Sequence, residues 1–473
     1  MSAVIAHDAT AAESRCARVG PARGALRARV APGGRGYLSG MPRQPLALAP
    51  FRGLRYTALD VGKILDSPEH DFARLLAPPY DIPGPEEARA LLRSDPHNAT
   101  HITRPYQLNI TMPGDRPGTP ARSVYESAAA HLRAWIGDGV LALDPDPALY
   151  VYEQVTAAGT RQRGVIGALE LPSASTSGPV RPHEEVGRAP VLDRVRLMAR
   201  THANLEPIFL LYPGADGATT RITEAAEERG RLLVDTRTAD GTRHRLWSLT
   251  DPSIHAQIAS DLARRSALIA DGHHRYAAYQ RMHEHSDEPG WSHGLAYLVD
   301  SDAHPPTLGA IHRVVPGLTT REAAEAVRSV ARVERVPGGS LADAEMALWK
   351  AEHPALLLAG PEGDHHLVHD VDQARLAEAA ATHSEAYREL PTAALHHVLL
   401  PLWNRSDRDV RMVHDEAAEA VEVARREGGT AVIVPPLRVE QVYAVAERGD
   451  LTPRKSTSFG PKPRTGLVMR VLP

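Results

Sequence analysis

The sequence has a single cysteine, Cys16, no long apolar run and little net charge. One cysteine cannot form an intramolecular disulfide or a cysteine-based metal cluster, so the composition is typical of a reducing compartment. No uninterrupted apolar stretch approaches the roughly 18 residues that a membrane span needs, and the cytoplasm is therefore the expected location. The formal net charge of −4 gives no electrostatic reason to expect nucleic-acid binding.

The composition is otherwise that of a globular protein of two or three domains. The chain has 473 residues, of which 42% are hydrophobic and 24% charged, in the usual range for packed domains. Residues 1–45 are rich in Ala, Arg and Gly and predict a disordered tail. Met41 is an alternative to Met1 as the translational start, and no secretory signal is expected.

The sequence pattern predicts an α+β or mixed α/β fold, with β-hairpins and βα units around a mixed sheet. The Asp240-Gly241 dipeptide between two strand-like runs predicts a hairpin. We expect a catalytic or nucleotide-binding region over residues 46–315 and an α/β region over 316–473. Periodicity and turn residues predict helices at 85–93, 122–137, 253–265, 319–331, 415–426 and 439–448, and strands at 148–156, 162–171, 231–236, 244–249, 294–300, 355–359, 430–434 and 466–472.

The most informative motif is Asp271-Gly272-His273-His274-Arg275, which follows a short apolar run and precedes a helix-like segment. A strand that passes through a glycine turn into a helix presents backbone N–H groups and a helix dipole to an anion such as phosphate. Arg275 can grip a phosphate or a carboxylate. Asp271 is a candidate base or magnesium ligand. A plain Asp-Gly turn with surface histidines is the alternative interpretation.

Two further segments carry candidate chemistry. Glu184, with His183 as the alternative, is a candidate proton acceptor for a hydroxyl nucleophile, against the alternative of an exposed charged loop. The late segment Lys455-Ser456-Thr457-Ser458-Phe459-Gly460-Pro461-Lys462 has lysines and hydroxyls suited to phosphate contact, without the spacing of a P-loop. The candidate residues for substrate contact are Tyr80, Asp81, Arg194, His312 and Arg313. For Arg194, a structural ion pair with Asp193 is the alternative interpretation.

Histidine pairs occur at His365-His366, with His369 nearby, and at His396-His397. They lack carboxylates at helical ligand spacing, so surface or loop positions are expected rather than a metal site. Magnesium bridging nucleotide phosphates is favoured over zinc at the glycine turn.

Several motifs, in order along the chain, resemble the DUF1015 family of bacterial and archaeal proteins. These motifs are Arg55-Tyr56, Ala77-Pro78-Pro79-Tyr80-Asp81, Val151-Tyr152-Glu153-Gln154, Arg181-Pro182-His183-Glu184, Asp193-Arg194, Ile269 to Tyr276 and Lys455 to Lys462. The family usually has an aromatic residue where this chain has Ser458 or Gly460. The Asp-Gly-His-His-Arg turn also resembles that of the ParB/sulfiredoxin-like superfamily, which includes free-serine kinases.

That resemblance implies a phosphotransferase that uses ATP or ADP with Mg²⁺ to phosphorylate L-serine or a similar hydroxyl metabolite. It implies that Asp271, Gly272, His273, His274 and Arg275 face a nucleotide phosphate. Dephosphorylation of phosphoserine would use similar contacts and is an alternative reaction. A non-catalytic nucleotide- or metabolite-binding regulator is the second hypothesis. ParB-like DNA association is the third, and the acidic net charge and the lack of a basic helix-turn-helix weigh against it.

Overall fold

The structure, a computed structural model, describes residues 44–57, 72–104, 123–173, 178–351 and 353–472. Cys16, both candidate start codons and nearly all of the predicted tail 1–45 lie outside these ranges. None of the helices in the ranges given combines the length and apolar character that a membrane crossing requires.

Helices and strands are interspersed along the chain, often in short runs of one kind. The helices span Pro85–Ser94, Thr100–Thr103, Val124–Gly137, Arg188–Thr201, Ala218–Glu224, Ala226–Arg229, Pro252–Leu262, His273–His285, Thr320–Val327, Leu341–Trp349, Gln373–Ala379, Glu385–Arg388, Pro391–Ala394, Leu400–Leu402, Ala417–Glu427 and Val439–Glu447. Short 3₁₀ segments lie at Phe72–Leu75 and Pro289–Ser292, and a π-helical segment at Leu395–Leu399.

The strands are β1 Leu48–Ala49, β2 Leu54–Tyr56, β3 Leu141–Leu143, β4 Leu149–Val155, β5 Arg161–Glu170, β6 Val180–Arg181, β7 Ala203–Asn204, β8 Ile208–Tyr212, β9 Arg231–Arg237, β10 Arg243–Leu249, β11 Ala267–Asp271, β12 His293–Asp300, β13 Thr307–Gly309, β14 Ile311–Val315, β15 Arg332–Arg335, β16 Ala355–Ala359, β17 His365–His369, β18 Arg411–His414, β19 Thr430–Ile433, β20 Ser458–Gly460 and β21 Arg470–Val471.

The chain divides into two compact units. Unit 1 takes the described parts of Met1–Val180, Val186–Pro305 and Pro461–Pro473, and unit 2 takes Arg181–Glu185 and Pro306–Gly460. The division expected between residues 315 and 316 remains a prediction, and the chain passes from unit 1 to unit 2 between Pro305 and Pro306. The short segments 181–185 and 461–473, however, fall in the unit that the sequence division did not give them.

Unit 1 is built on a nine-stranded mixed sheet, as the sequence predicts. Its order is β6-β11-β8-β12-β5-β4-β10-β9, with β1 beside β5. β8 and β12 run parallel, whereas β12 and β5, β5 and β4, and β4 and β10 are antiparallel. The predicted hairpin is confirmed as β9 and β10, and Gly241 takes the positive φ of +81° that its turn requires.

Three neighbouring strands of unit 1, β11, β8 and β12, are mainly apolar, and the charged or polar residues Asp271, His293 and Asp300 lie at strand ends. β8 and β11 are buried along their whole length, and β12 is buried from Gly294 onward, because helices cover their faces and leave no solvent side. The helix His273–His285 buries Tyr276, Tyr279 and Met282, which share one face at intervals of three residues. This packing fixes the start of that helix against the end of β11.

Unit 2 holds a six-stranded antiparallel sheet in the order β15-β17-β16-β19-β14-β18, and β13 pairs with β20. Its core joins the apolar side chains of β16 and β19 to the alanine-rich face of the helix Ala417–Glu427. The amphipathic pattern of that helix, with alanines three or four residues apart, is what the sequence predicts.

The predicted location of one histidine pair is wrong. His365 and His366 are not surface or loop residues: they lie in β17 and are 2% and 7% exposed. β17 is paired with β15 and β16 on its two edges, and the helices Thr320–Val327 and Leu341–Trp349 lie against it, so it is an interior strand of unit 2. His396 and His397 lie in the π-helical segment and are half-buried.

Candidate functional site

The 271–275 turn has the strand, glycine and helix order that the sequence predicts. β11 ends at Asp271, Gly272 is the N-cap with φ of +93°, and the helix begins at His273 without a side-chain cap. A side chain at position 272 would place its Cβ 3.0 Å from Nε of Arg275. Glycine is therefore required both by the backbone angle and by the close approach of Arg275.

Asp271 is the centre of a compact ion cluster. Its Oδ2 lies 2.5 Å from Nη2 of Arg275, and its Oδ1 lies 2.6 Å from Nζ of Lys462. Arg275 also donates from Nη1 to the carbonyl of Pro207 at 2.5 Å. The structure thus brings together, in unit 1, the predicted turn and the predicted Lys462.

The two cations of this cluster differ in accessibility. The Arg275 side chain is 4% exposed and the Lys462 side chain is 25% exposed. Burial opposes both charges, but the carboxylates outweigh it: Asp271 and Asp81 raise the pKa of Lys462, and Asp271 with Glu206 raises the pKa of Arg275. Both side chains therefore stay charged at neutral pH.

Glu206 is a buried acid of this region that sequence reasoning missed. Its Oε1 accepts hydrogen bonds from the backbone N–H of Tyr80 at 2.9 Å and from the hydroxyl of Thr465 at 3.2 Å. Its Oε2 lies 3.5 Å from Nη1 of Arg194. Burial raises the pKa of Glu206, and the charges of Arg275 and Arg194 oppose that rise. The sequence gives only a slight indication of this acid, because Glu206 stands just before Pro207 and an apolar run.

Tyr80, Asp81 and Arg194 also lie in this part of unit 1. The Arg194 guanidinium stacks over the Tyr80 ring, with 3.8 Å from its Cζ to the ring centroid, and it is ion-paired with Asp193 at 2.5 Å. Asp81 is exposed. The structure therefore confirms the Asp193–Arg194 ion pair that the sequence offers as an alternative to a substrate clamp.

The two histidines of the turn have different surroundings. His273 is buried, whereas His274 is half-buried and its Nε2 accepts a hydrogen bond from the backbone N–H of Gly187 at 3.1 Å. These contacts anchor the turn to its own unit.

The segment that carries Lys462 is held by polar side chains of β4. Nε2 of Gln154 donates to the carbonyl of Pro461 at 3.0 Å, and the N–H of Arg464 lies 3.4 Å from the hydroxyl of Tyr152. Arg464 is also ion-paired with Asp240, at the hairpin turn. These contacts fix the backbone on both sides of Lys462.

The other predicted site residues belong to unit 2. Nε2 of His183 lies 2.9 Å from the hydroxyl of Thr457, and the carbonyl of His183 accepts from the hydroxyl of Thr452 at 2.9 Å. Ser456 donates to the hydroxyl of Thr392. Glu184 follows His183 and is half-buried. Within unit 2, the structure therefore brings together His183 and the Ser456-Thr457 pair.

Arg313 fixes the backbone at Lys455. Its Nη2 donates to the carbonyls of Arg454 and Lys455, each at 2.9 Å, and the residue is fully buried. Burial lowers the pKa of Arg313 to about 10. Lys455 is exposed and has a positive φ of 56°, a backbone strain that those two hydrogen bonds hold in place.

His312 has a structural contact. Its Nδ1 accepts from the N–H of Val434 at 3.2 Å, and burial lowers its pKa to about 4. It is therefore neutral at pH 7, and the hydrogen bond ties β14 to the end of β19.

The residues at the turn do not fit a resident metal ion. Within the parts of the chain that the structure describes, no group of three or more histidine, cysteine or acidic side chains is arranged to hold one. Both oxygens of Asp271 are already ion-paired with Arg275 and Lys462, and a metal ion would have to displace a cation.

No curated protein is similar to this sequence at a significant level. Among solved structures, a variant of a free serine kinase in complex with ADP is 13% identical, with a TM-score of 0.33 over 60% of this chain and 84% of that one. A conserved hypothetical protein from Pyrococcus furiosus is 13% identical, with a TM-score of 0.30 over 60% and 87%. SbnI from Staphylococcus aureus, truncated at its C-terminus, is 9% identical, with a TM-score of 0.32 over 62% and 82%. Likenesses at these values support no conclusion about activity.

The family comparison is decisive, because it covers more than half of the chain. Residues 48–395 match the family model described as a protein of unknown function, DUF1015. The match includes Tyr80, His183, Glu184 and the 271–275 turn, and it ends before the segment that holds Lys455 and Lys462. The chain therefore belongs to the DUF1015 family, as its motifs predict.

Proposed function

We propose that this protein is a small-molecule phosphotransferase that binds a nucleotide phosphate at the 271–275 turn. The observation that carries the proposal is the position of Lys462, whose ammonium is ion-paired with Asp271 at the N-terminal end of the helix His273–His285. A helix N-terminus and a lysine ammonium both favour an anion.

The proposed roles follow from exposure. Lys462 is the accessible cation, so it contacts the phosphate. Arg275 is buried, ion-paired with Asp271 and hydrogen-bonded to the carbonyl of Pro207. It therefore attracts the phosphate through its charge without contacting it. Asp271 orients both cations. This role replaces that of a metal ligand or base, since each of its oxygens already faces a cation.

Phosphoryl transfer depends mainly on positioning and on neutralising phosphate charge. In the proposed reaction, a substrate hydroxyl oxygen forms a bond to phosphorus, and the bond from phosphorus to the nucleotide oxygen breaks. The hydroxyl proton passes to a base. Glu184, with His183 as the alternative, remains our prediction for that base, and L-serine or a similar hydroxyl metabolite remains the predicted acceptor.

The test uses the full chain with Mg²⁺, ATP or ADP, and a pool of hydroxyl metabolites that includes L-serine. Mass spectrometry detects a phosphorylated product, and calorimetry measures nucleotide affinity. We expect Lys462→Met to weaken nucleotide binding by about tenfold or more. The exposed Lys350 provides the matched control, and Lys350→Met keeps the wild-type affinity. Absence of nucleotide binding by the wild-type protein refutes the proposal.

A non-catalytic phosphate- or nucleotide-binding regulator is the second candidate. It needs the turn and Lys462 but no base, and Asp271, whose two oxygens are each ion-paired with a cation, is a poor proton acceptor beside the bound phosphate. Tight nucleotide binding without phosphorylation of any acceptor in the pool would support the regulator and exclude the phosphotransferase.

A further inference from the structure

Glu206 has the contacts of a residue that organises its surroundings. It precedes β8, is 4% exposed, and uses one carboxylate oxygen to accept two hydrogen bonds. The donors, Tyr80 and Thr465, come from segments that are remote from each other in the sequence. Those segments carry the candidate residues Asp81 and Lys462.

The arginines near Glu206 supply the charge that such a buried acid needs. Arg194 lies 3.5 Å from Oε2, and Arg275 also stabilises the carboxylate electrostatically. The backbone carbonyl of Glu206 accepts from the hydroxyl of Tyr279 at 2.9 Å. Since Arg275 and Tyr279 belong to the helix His273–His285, Glu206 also contacts the helix that begins at the turn.

The connection to Lys462 is short and specific. Thr465 lies three residues after Lys462, and its backbone is paired with Ala77 through two hydrogen bonds of 2.8 and 3.1 Å. A valine at position 465 therefore removes the hydroxyl that donates to Glu206 and leaves the backbone hydrogen bonds to Ala77 in place.

We infer that Glu206 is a positioning residue for the anion site: through Thr465 it fixes the segment that presents Lys462, and through Tyr80 it fixes the segment that presents Asp81. This inference rests on the proposed function, because the group being positioned is the lysine that contacts phosphate. Glu206 touches no reacting atom in this scheme and acts through its neighbours.

The test removes one link at a time and measures ADP affinity by calorimetry with Mg²⁺ present. Thr465→Val deletes the hydrogen bond to Glu206, and we expect the Kd for ADP to rise roughly threefold to tenfold, as for the loss of one hydrogen bond. Thr465→Ser restores the hydroxyl and the affinity. Thr223→Val removes the hydroxyl of another buried threonine, which donates to Thr220, and leaves ADP affinity unchanged.

A double-mutant cycle separates positioning from a general loss of structure. If Thr465 acts through Lys462, the Thr465→Val change has no further effect on ADP affinity in a Lys462→Met background. An equal loss in both backgrounds, or no loss in the wild-type background, overturns the inference. Glu206→Gln keeps an acceptor oxygen for Tyr80 and Thr465 but loses the charge that faces Arg194 and Arg275. We expect it to weaken ADP binding less than Thr465→Val does, and in the wild-type background only.

The outcomes also distinguish this inference from the proposed function. ADP binding with the expected coupling, but without phosphorylation of any acceptor, supports the positioning role and overturns the phosphotransferase. A wild-type protein that does not bind ADP overturns both. ADP binding and turnover without coupling between Thr465 and Lys462 overturns the positioning role alone.

Discussion

Replacing Asp271 by asparagine tests how the ion cluster is held together. The change leaves the Arg275 guanidinium, whose side chain is 4% exposed, without its partner carboxylate. Removing one member of a buried ion pair costs roughly 3–5 kcal/mol. Arg275 keeps its hydrogen bond to the Pro207 carbonyl and its attraction to Glu206. We therefore expect Asp271→Asn to lower the free energy of unfolding by an amount near the lower limit, about 3 kcal/mol.

Lys462→Met removes the other partner of Asp271 and is the informative comparison. Lys462 is 25% exposed, and Asp271 keeps its ion pair with Arg275. We therefore expect a loss of only about 1 kcal/mol. For nucleotide affinity we expect the reverse order of the two variants, because Lys462→Met removes the cation that contacts the phosphate. Stability and nucleotide affinity should consequently rank the two variants differently.

The assay is hydrogen–deuterium exchange of peptides from residues 267–285 across a urea titration, which reports on unit 1 by itself. Exposed Asp138 provides the control, and Asp138→Asn should change stability by less than about 0.5 kcal/mol. Equal destabilisation by Asp271→Asn and Lys462→Met would refute the reasoning. So would a loss below about 1 kcal/mol for Asp271→Asn, because Arg275 would then not depend on that carboxylate.

Three further changes test the turn, a buried imidazole and the predicted base. Gly272→Ala should cost about 1–3 kcal/mol in urea unfolding, because its φ is +93° and its Cβ would crowd Arg275; wild-type stability would contradict the strained turn. Burial, then Arg464, lowers the pKa of His244 to about 4. Below pH 6.5 the unfolded imidazole therefore binds a proton that the folded one does not, and the free energy of unfolding falls from pH 6.5 to 4. His244→Asn should reduce that slope by about 1.4 kcal/mol per pH unit, and an unchanged slope would contradict the burial of a neutral imidazole. Glu184→Gln should lower kcat about 100-fold with nucleotide affinity unchanged, and wild-type turnover would exclude Glu184 as the base.

Local sequence signals predicted the elements that depend on local chemistry. The Asp240-Gly241 turn and the passage from β11 through Gly272 into a helix are both confirmed, because glycine at a positive φ determines each of them. Strand β8 was missed, although its apolar run lies between Pro207 and Pro213, a pattern typical of a buried strand.

Features that depend on remote partners were less predictable. Of the strand expected at 466–472, only Arg470–Val471 forms, paired with β7, while Thr465 and Met469 make single bridges. His365 and His366 lie in an interior strand of unit 2, against which two helices pack. In the sequence, Glu206 has no feature that distinguishes it from other acids beside a proline. Its role depends on Tyr80 and Thr465, which only the folded chain brings close to it.

The discontinuity of unit 1 has a consequence for protein synthesis. Residues 461–472 leave the ribosome only after the whole of Pro306–Gly460 has been translated. A nascent chain that stops earlier still contains Asp271, Arg275 and Glu206, but it lacks Lys462 and Thr465. Its ion cluster then has one cation fewer, and one acceptor position of Glu206 stays unfilled. Completion of the proposed site is thus tied to translation of residues 461–472, so chains terminated before Pro461 would carry the turn without its proposed phosphate-binding lysine.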